Sequence, residues 1–247
     1  MPSDQDDTVE ADAATAADGS SPPKRTKLDR NRIVVAALEY IETNGLASLS
    51  MRRLGAMLGV EAMSLYRYVP GREDLLDAVV ATMIDEMHAD EDILRVPRDG
   101  WQDFLQRLAH GVRRIALAHP VAFPLVASRP PEAPWLRPPL RNLSWVEAFL
   151  SGLTQEGFSD AAAVATYRAF TSFLLGHLLL EVSSHGADVG PLDVLDEEAG
   201  EAEADDLSEY PSVQRLSDSL AEDHSAVEFE ESLENLLDRL TLLRTEL

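Results

Sequence analysis

The stretch Ser50-Met51-Arg52-Arg53-Leu54-Gly55-Ala56-Met57-Leu58-Gly59-Val60-Glu61-Ala62-Met63-Ser64-Leu65-Tyr66-Arg67-Tyr68-Val69-Pro70-Gly71-Arg72-Glu73-Asp74-Leu75-Leu76 decides the fold. It reads as short helix, glycine turn, short helix, tight turn and the start of a longer helix. Leu54, Leu58, Val60, Leu65 and Val69 recur at spacings that turn them toward one interior. Gly59 stands where two short helices must turn sharply, and glycine adopts left-handed backbone there without steric cost. Ala62, Met63, Ser64, Tyr66, Arg67 and Tyr68 are left facing outward on the second helix, a mixture that suits a DNA groove better than open solvent. A helix-turn-helix places such a helix in the major groove.

Charge points the same way. The chain carries 21 Lys+Arg against 44 Asp+Glu, a net of −23, and a protein this acidic repels nucleic acid as a whole. Residues 24–72 nevertheless hold nine basic side chains (Lys24, Arg25, Lys27, Arg30, Arg32, Arg52, Arg53, Arg67, Arg72) against four acids, a local net of +5 that leaves −28 elsewhere. Basic charge gathered on a helix-turn-helix is the footprint of a duplex-binding module. A solvated surface with no partner does not account for the segregation.

At 247 residues the chain can bury a large core in one or two domains. It has no cysteine, which excludes disulfides, thiol catalysis and cysteine metal sites and fits a reducing cytoplasm. The N-terminus lacks a basic-then-apolar signal pattern. No uncharged apolar run reaches the ~18 residues of a membrane helix, so no membrane partner is expected. No glycine-rich phosphate loop, nucleophile elbow or metal-spaced His/Glu motif accompanies His110, His119, His177 and His185, so neither an enzyme nor a cofactor is expected.

The expected fold is all-α. Residues 1–26 read as a disordered acidic tail and basic hinge, 27–75 as the helix-turn-helix domain, and 76–247 as a larger helical regulatory domain holding a mobile acidic loop at 186–209. Helices are expected at about 29–44, with Asp29 as N-cap and Gly45 beyond its end, and at 51–57 behind Ser50, 61–67 and 73–89. Further helices are expected at 98–118, 121–127, 135–156, 159–184 and 225–245. The last two carry apolar stripes, Tyr167, Phe170, Thr171, Leu174, Leu178 and Val182 on one and Phe229, Leu233, Leu236, Leu237, Leu240 and Leu243 on the other. Either stripe alone reads as readily as internal core, but together the helices at 159–184 and 225–245 are expected to pair as a four-helix bundle across the two-fold axis of a homodimer.

These residues resemble the tetracycline-repressor (TetR) family of one-component regulators. Leu58-Gly59-Val60-Glu61 carries the likeness most strongly, then Leu65-Tyr66, Val69 and Leu75-Leu76-Asp77. Trp101-Gln102-Asp103-Phe104-Leu105, Arg129-Pro130 and Gln155-Glu156-Gly157-Phe158-Ser159 look like landmarks of the tetracycline-repressor-like regulatory domain. The resemblance implies an all-α homodimer whose N-terminal domain binds double-stranded operator DNA and whose larger domain binds a small-molecule inducer.

Carried over residue by residue, the resemblance sets Arg52 at a base-contacting position, where guanine O6 and N7 would accept from its guanidinium; a phosphate contact is the alternative. Ala62 and Met63 replace a polar side chain and a proline, so thymine methyls become the available base contacts. Ser64, Tyr66 and Tyr68 match phosphate-contacting positions, with half-buried packing as the other reading of Tyr66. Arg67 replaces an aromatic residue, and Arg72 matches a lysine near a phosphate at a helix start. In the inducer region His88 matches a ligand-contacting histidine, although a lone histidine is as readily ordinary surface or core. A metal-binding histidine falls at Leu125 or Val126, polar contacts at Leu108 and Phe149, and an aromatic position at Val112. Ser128 keeps a hydroxyl, and a second-subunit carboxylate aligns with Leu180, one residue from Glu181. Without hard or imidazole ligands a magnesium–tetracycline chelate is not the expected inducer. With Trp145, the region suits an apolar ligand. The sequence therefore reads as a DNA-binding repressor released from a palindromic operator by a hydrophobic inducer. A regulator of the same build without a small-molecule ligand is the alternative.

Overall fold

Three helix starts and the ends of α1 and α2 in the computed structural model, which describes residues 27–89, 97–129, 135–136, 143–187 and 209–246, fall where side chains or glycines satisfy orphan backbone groups. The order is α1 (Arg30–Asn44), α2 (Met51–Leu58), α3 (Ala62–Leu65), α4 (Arg72–Ala89), α5 (Trp101–Ala118), α6 (Pro124–Ser128), α7 (Leu143–Gln155), α8 (Asp160–Ser184), α9 (Pro211–Ala221) and α10 (Ser225–Glu246). The Asp29 carboxylate accepts from Arg32 N at 2.9 Å, Ser50 Oγ from Arg53 N at 3.3 Å and Ser159 Oγ from Ala162 N at 3.1 Å, capping α1, α2 and α8. Among the described residues there is no strand.

Several boundaries differ from the sequence reading. α5 begins at Trp101 and not near 98, because Gly100 at φ 94° cannot lie inside a right-handed helix. α6 begins at Pro124, whose missing N–H is harmless in a first turn. α3 is four residues long and runs on only as turns to Tyr68. α7 starts at Leu143, and Trp135 lies in a turn before it. α9 is a helix that the sequence reading did not place; none of its residues is buried, and its apolar side chains Val213, Leu216 and Leu220 are exposed. The tail at 1–26 and most of the acidic segment 186–209 lie outside the described residues.

α1, α2 and α3 pack with the first turns of α4 around Ile33, Ala37, Ile41, Leu54, Leu65, Val69, Leu75, Leu76 and Val79, all fully buried. The rest of α4 continues into a second core with α5, α7, α8 and α10. Trp101 meets Phe158 edge-on at 5.2 Å between centroids, pinning the start of α5 to the α7–α8 turn. By length and composition α8 is a described helix able to cross a membrane, but it buries ten residues against its neighbours, Thr166 and Glu181 among them.

The two C-terminal stripes resolve as internal core. Tyr167, Phe170, Thr171, Leu174, Leu178 and Val182 of α8 and Phe229, Leu233, Leu237 and Leu240 of α10 are buried within the one chain. Leu236 and Leu243 are half-buried beside them. Glu181, aligned by resemblance near a second-subunit ligand position, is also internal. Its carboxylate accepts from Arg113 Nε at 3.0 and 3.1 Å and from Nη2 at 2.5 Å. The Arg113 guanidinium lies 5.1 Å from the centroid of Phe229, so one cation joins α5, α8 and α10. The hydrogen bonds to Glu181 hold the Arg113 pKa above its usual value despite burial.

Glu181→Ala is expected to destabilise the chain by about 2–3 kcal/mol, because it strands a largely buried guanidinium. Urea unfolding is the measurement. A midpoint unchanged from the parent would show the pair to be dispensable.

Candidate DNA-binding surface and ligand cavity

Two glycines set the geometry of the helix-turn-helix. Gly59 ends α2 in left-handed backbone at φ 68°, ψ 32°, with its N–H shared between the carbonyls of Ala56 and Gly55. Gly55 lies inside α2, where glycine ordinarily costs about 1 kcal/mol against alanine. A Cβ there would sit 2.9 Å from Val60 O and 3.2 Å from Ala62 N, so its absence lets α3 rest directly against α2. The sequence reading singled out Gly59 and missed Gly55. A glycine in the interior of a short helix was the available signal of close approach.

The surface this creates holds exposed Arg52, Met63, Tyr66, Arg67 and Tyr68, with Ala62 and Ser64 half-buried beside them. Met63 is 74% exposed, an unfavourable place for an apolar side chain unless something covers it. Tyr66 is exposed, so it stands on this surface and not in half-buried packing. The arginines divide into two kinds. Arg53 donates to Ser48 O at 2.8 Å, and Arg72 donates to Leu49 O at 3.4 Å and Leu46 O at 3.3 Å. Both guanidiniums therefore brace the α1–α2 turn. Arg72 is already committed to backbone carbonyls where the resemblance implied a phosphate contact.

A second feature lies between α4, α5, α7 and α8. It is an apolar cavity of about 90 Å³ lined by Ile84, Met87, Leu108, Val112, Trp145, Val146, Phe149, Tyr167, Phe170, Thr171 and Leu174. Of the residues singled out from sequence, Leu108, Val112, Trp145 and Phe149 lie on its wall. Leu125 and Ser128 do not: α6 packs against α4 outside the cavity, Leu125 is sealed in the core and Ser128 faces solvent. The side chain of His88 lies outside the described residues. A site between α4, α5, α7 and α8 was expected from the sequence, but Ile84, Met87, Tyr167, Phe170, Thr171 and Leu174 were not among the expected ligand contacts, because an apolar stripe does not distinguish filled core from cavity wall.

Among the described residues the wall carries no charged side chain. Tyr167 is the titratable group among them, and burial pushes its phenol up to about 12, so it stays neutral at physiological pH. The Thr171 hydroxyl donates to Tyr167 O within α8. Phe149 contacts Tyr167 edge-on at 5.7 Å and Phe170 at 5.5 Å, giving the cavity an aromatic floor. Among the described residues no three His, Cys, Asp or Glu side chains are grouped to hold a metal ion.

A glycine-turned helix pair with an exposed basic and aromatic face, joined through one helix to a body with an apolar cavity, defines a helix-turn-helix transcriptional regulator. Residues 33–79 match the bacterial regulatory proteins of the tetR family, and residues 95–242 match the tetracyclin repressor-like C-terminal domain. The chain belongs to the TetR family. It is 30% identical to the tetracycline repressor protein class A from transposon 1721 of Escherichia coli, over 89% of this chain and 93% of that one. A possible TetR family transcriptional regulator from Streptomyces coelicolor A3(2) superposes with a TM-score of 0.67 at 31% identity, covering 87% of this chain and all of the other. The Streptomyces coelicolor TetR family protein ActR, solved in complex with actinorhodin, superposes with a TM-score of 0.63 at 25% identity, covering 89% and 98%. Members of this family bind operator DNA and act as dimers.

Gly55→Ala is expected to push α3 away from α2 and to abolish duplex binding while leaving most helical content in place, at a cost of about 1–3 kcal/mol. Circular dichroism and fluorescence anisotropy on one sample read both effects. Undiminished binding would mean that α3 is not the recognition element.

Proposed function

We propose that this protein is a homodimeric repressor released from a palindromic operator by a neutral, apolar, ring-containing inducer. The observation that carries the proposal is the uncharged cavity walled on one side by α4, the helix that begins at the DNA-binding surface. Burying a charge against that wall without a partner is costly, so the ligand is neutral. An apolar cavity of ~150 Å³ holds a single benzene ring, and drug-sized ligands occupy ~300–1,000 Å³. At about 90 Å³ the cavity must widen to take a multi-ring ligand. Ile84 and Met87 form the α4 wall, and widening there displaces α4. A ligand moves the equilibrium only by its differential affinity for the two arrangements, and a tenfold loss of operator affinity requires about 1.4 kcal/mol of coupling.

The dimer is assigned to the side of α8 opposite its buried stripe. Val164, Arg168, Ser172, Gly176 and Leu180 recur every four residues there, and all are exposed. Leu180 is 74% exposed, and the space beyond Gly176 is open, as a close helix approach requires. Exposed Val227 and Leu242 of α10 continue the apolar content of this assembly surface.

Selection of duplexes from a random pool tests the DNA reading. A palindromic sequence should emerge, bound about a thousandfold more weakly at 200 than at 50 mM salt if roughly six phosphates are neutralised. Arg52→Ala should cost about 1–3 kcal/mol at one base position, whereas Arg72→Ala, which removes the brace on the α1–α2 turn, should weaken all duplexes alike by loosening the frame of the recognition helix. Recovery of no enriched sequence would overturn the proposal.

Tetracycline with Mg²⁺ is expected not to release the duplex, since the described residues of the cavity wall present neither imidazole nor carboxylate to a chelate. Magnesium-dependent binding in calorimetry at micromolar affinity or better would contradict the apolar assignment.

A further inference from the structure

Sulfur is divided unevenly in this chain. With no cysteine, six methionines hold all of it. Met1 lies outside the described residues. Met51 is buried at the start of α2, and Met83 and Met87 are buried along α4. The remaining two are open to solvent, Met57 at 50% exposure and Met63 at 74%. Both stand on the α2–α3 pair, so among the described residues every exposed methionine belongs to the DNA-binding unit. Met63 is the second residue of α3 and shares its surface with exposed Arg52, Tyr66, Arg67 and Tyr68.

We propose that Met63 is a site of reversible oxidation, through which a two-electron oxidant of the peroxide class turns off duplex binding. The proposal rests on the proposed regulator function and adds a second means of control to it. The thioether sulfur attacks one peroxide oxygen. The S–O bond forms as the O–O bond breaks, and the hydroxide released takes the proton of the transferred oxygen and leaves as water. Sulfur gives up the two electrons that the peroxide gains. The product is methionine sulfoxide, a polar and chiral side chain in place of a flexible apolar one. Susceptibility follows exposure, so Met63 reacts before buried Met51, Met83 and Met87. The cores therefore keep their thioethers while the DNA-binding surface changes. No thiol of this chain intercepts the oxidant, because the chain has no cysteine. A thioether lies against a thymine methyl with no polar atom to satisfy. The sulfoxide oxygen is an acceptor that a methyl group cannot pair, and burying it unpaired opposes binding. Bound duplex covers Met63, so oxidation takes place on the free protein and prevents rebinding. Methionine sulfoxide reductases restore the thioether: a dithiol closes to a disulfide and the oxygen leaves as water.

The test treats the full chain with hydrogen peroxide until peptide masses show oxygen on Met57 and Met63. Affinity for the duplex selected from the random pool is then measured by fluorescence anisotropy. The parent, Met57→Leu and Met63→Leu are each compared with their own untreated sample, so any effect of the substitution itself cancels. Treated parent and treated Met57→Leu should bind about tenfold more weakly, the loss that one unpaired buried acceptor causes, and treated Met63→Leu should change by less than about twofold. The two epimer-specific reductases with dithiothreitol should return the parent to its untreated affinity. Saturating duplex should protect Met63 from peroxide. Unchanged affinity in a parent oxidised at Met63, an equal loss in Met63→Leu, or a loss that vanishes in Met57→Leu would overturn the proposal and leave the regulator function standing. Oxidation of Met51, Met83 or Met87 alongside Met63 would overturn it too. If Met63→Leu binds no duplex before treatment, the reductases decide. Recovery of the parent together with duplex protection of Met63 supports the proposal, and failure of either overturns it. If no duplex is enriched from the pool, the regulator function fails first and takes the oxidation switch with it.

Discussion

α4 is buried at both ends, and the rest of the molecule is arranged around that constraint. Its first turns place Leu75, Leu76 and Val79 in the helix-turn-helix core, and its last turns place Met83, Ile84 and Met87 in the regulatory core and the cavity wall. Eighteen residues at about 1.5 Å each make a rod roughly 27 Å long. Its hydrogen-bonded backbone allows no independent motion of the two ends. A flexible linker at the same place would let cavity and DNA surface behave as separate objects.

The acidity of the chain is the electrostatic counterpart of this arrangement. The net of −28 outside residues 24–72 keeps the regulatory body off a phosphate backbone, and the +5 segment turns the helix-turn-helix toward it. Within the body, the Arg113–Glu181 pair is buried with its hydrogen bonds made. The described wall of the cavity, by contrast, carries no charged side chain. Among the described residues, Glu42 accepts from the backbone of Val121 and Ala122, Glu86 lies against His119, and Arg129 donates to Asp77.

Arg53 and Arg72 show how local positive charge serves two ends. Both belong to the basic segment that marks DNA binding, yet both donate to carbonyls in the turn between α1 and α2. The carbonyls of Leu46, Ser48 and Leu49 in that turn accept from the two guanidiniums, Leu46 O accepting from Leu49 N as well. Arg52 and Arg67 lie on the outer surface beside them. Long-range attraction depends on all four charges, whereas direct contact depends on which side chains point outward.

The sequence alone determined the all-α class, the helix-turn-helix and most helix starts. Those follow from local rules: Asp29, Ser50 and Ser159 cap because their oxygens reach amides three residues on, and Gly59 turns because it has no Cβ. Tertiary structure alone decided what each apolar stripe faces. Periodicity fixes the side of a helix that leaves water, but core, cavity wall and subunit interface all satisfy it equally. So Phe149 and Leu108 proved to line the cavity while Leu125 of α6, equally apolar, is sealed in the core outside it. The same holds for contacts far apart in the chain. Glu42 and Val121 are separated by 79 residues, Arg113 and Glu181 by 68, and Arg129 and Asp77 by 52. No local pattern announces a partner at that distance, because packing chooses it only after the helices exist.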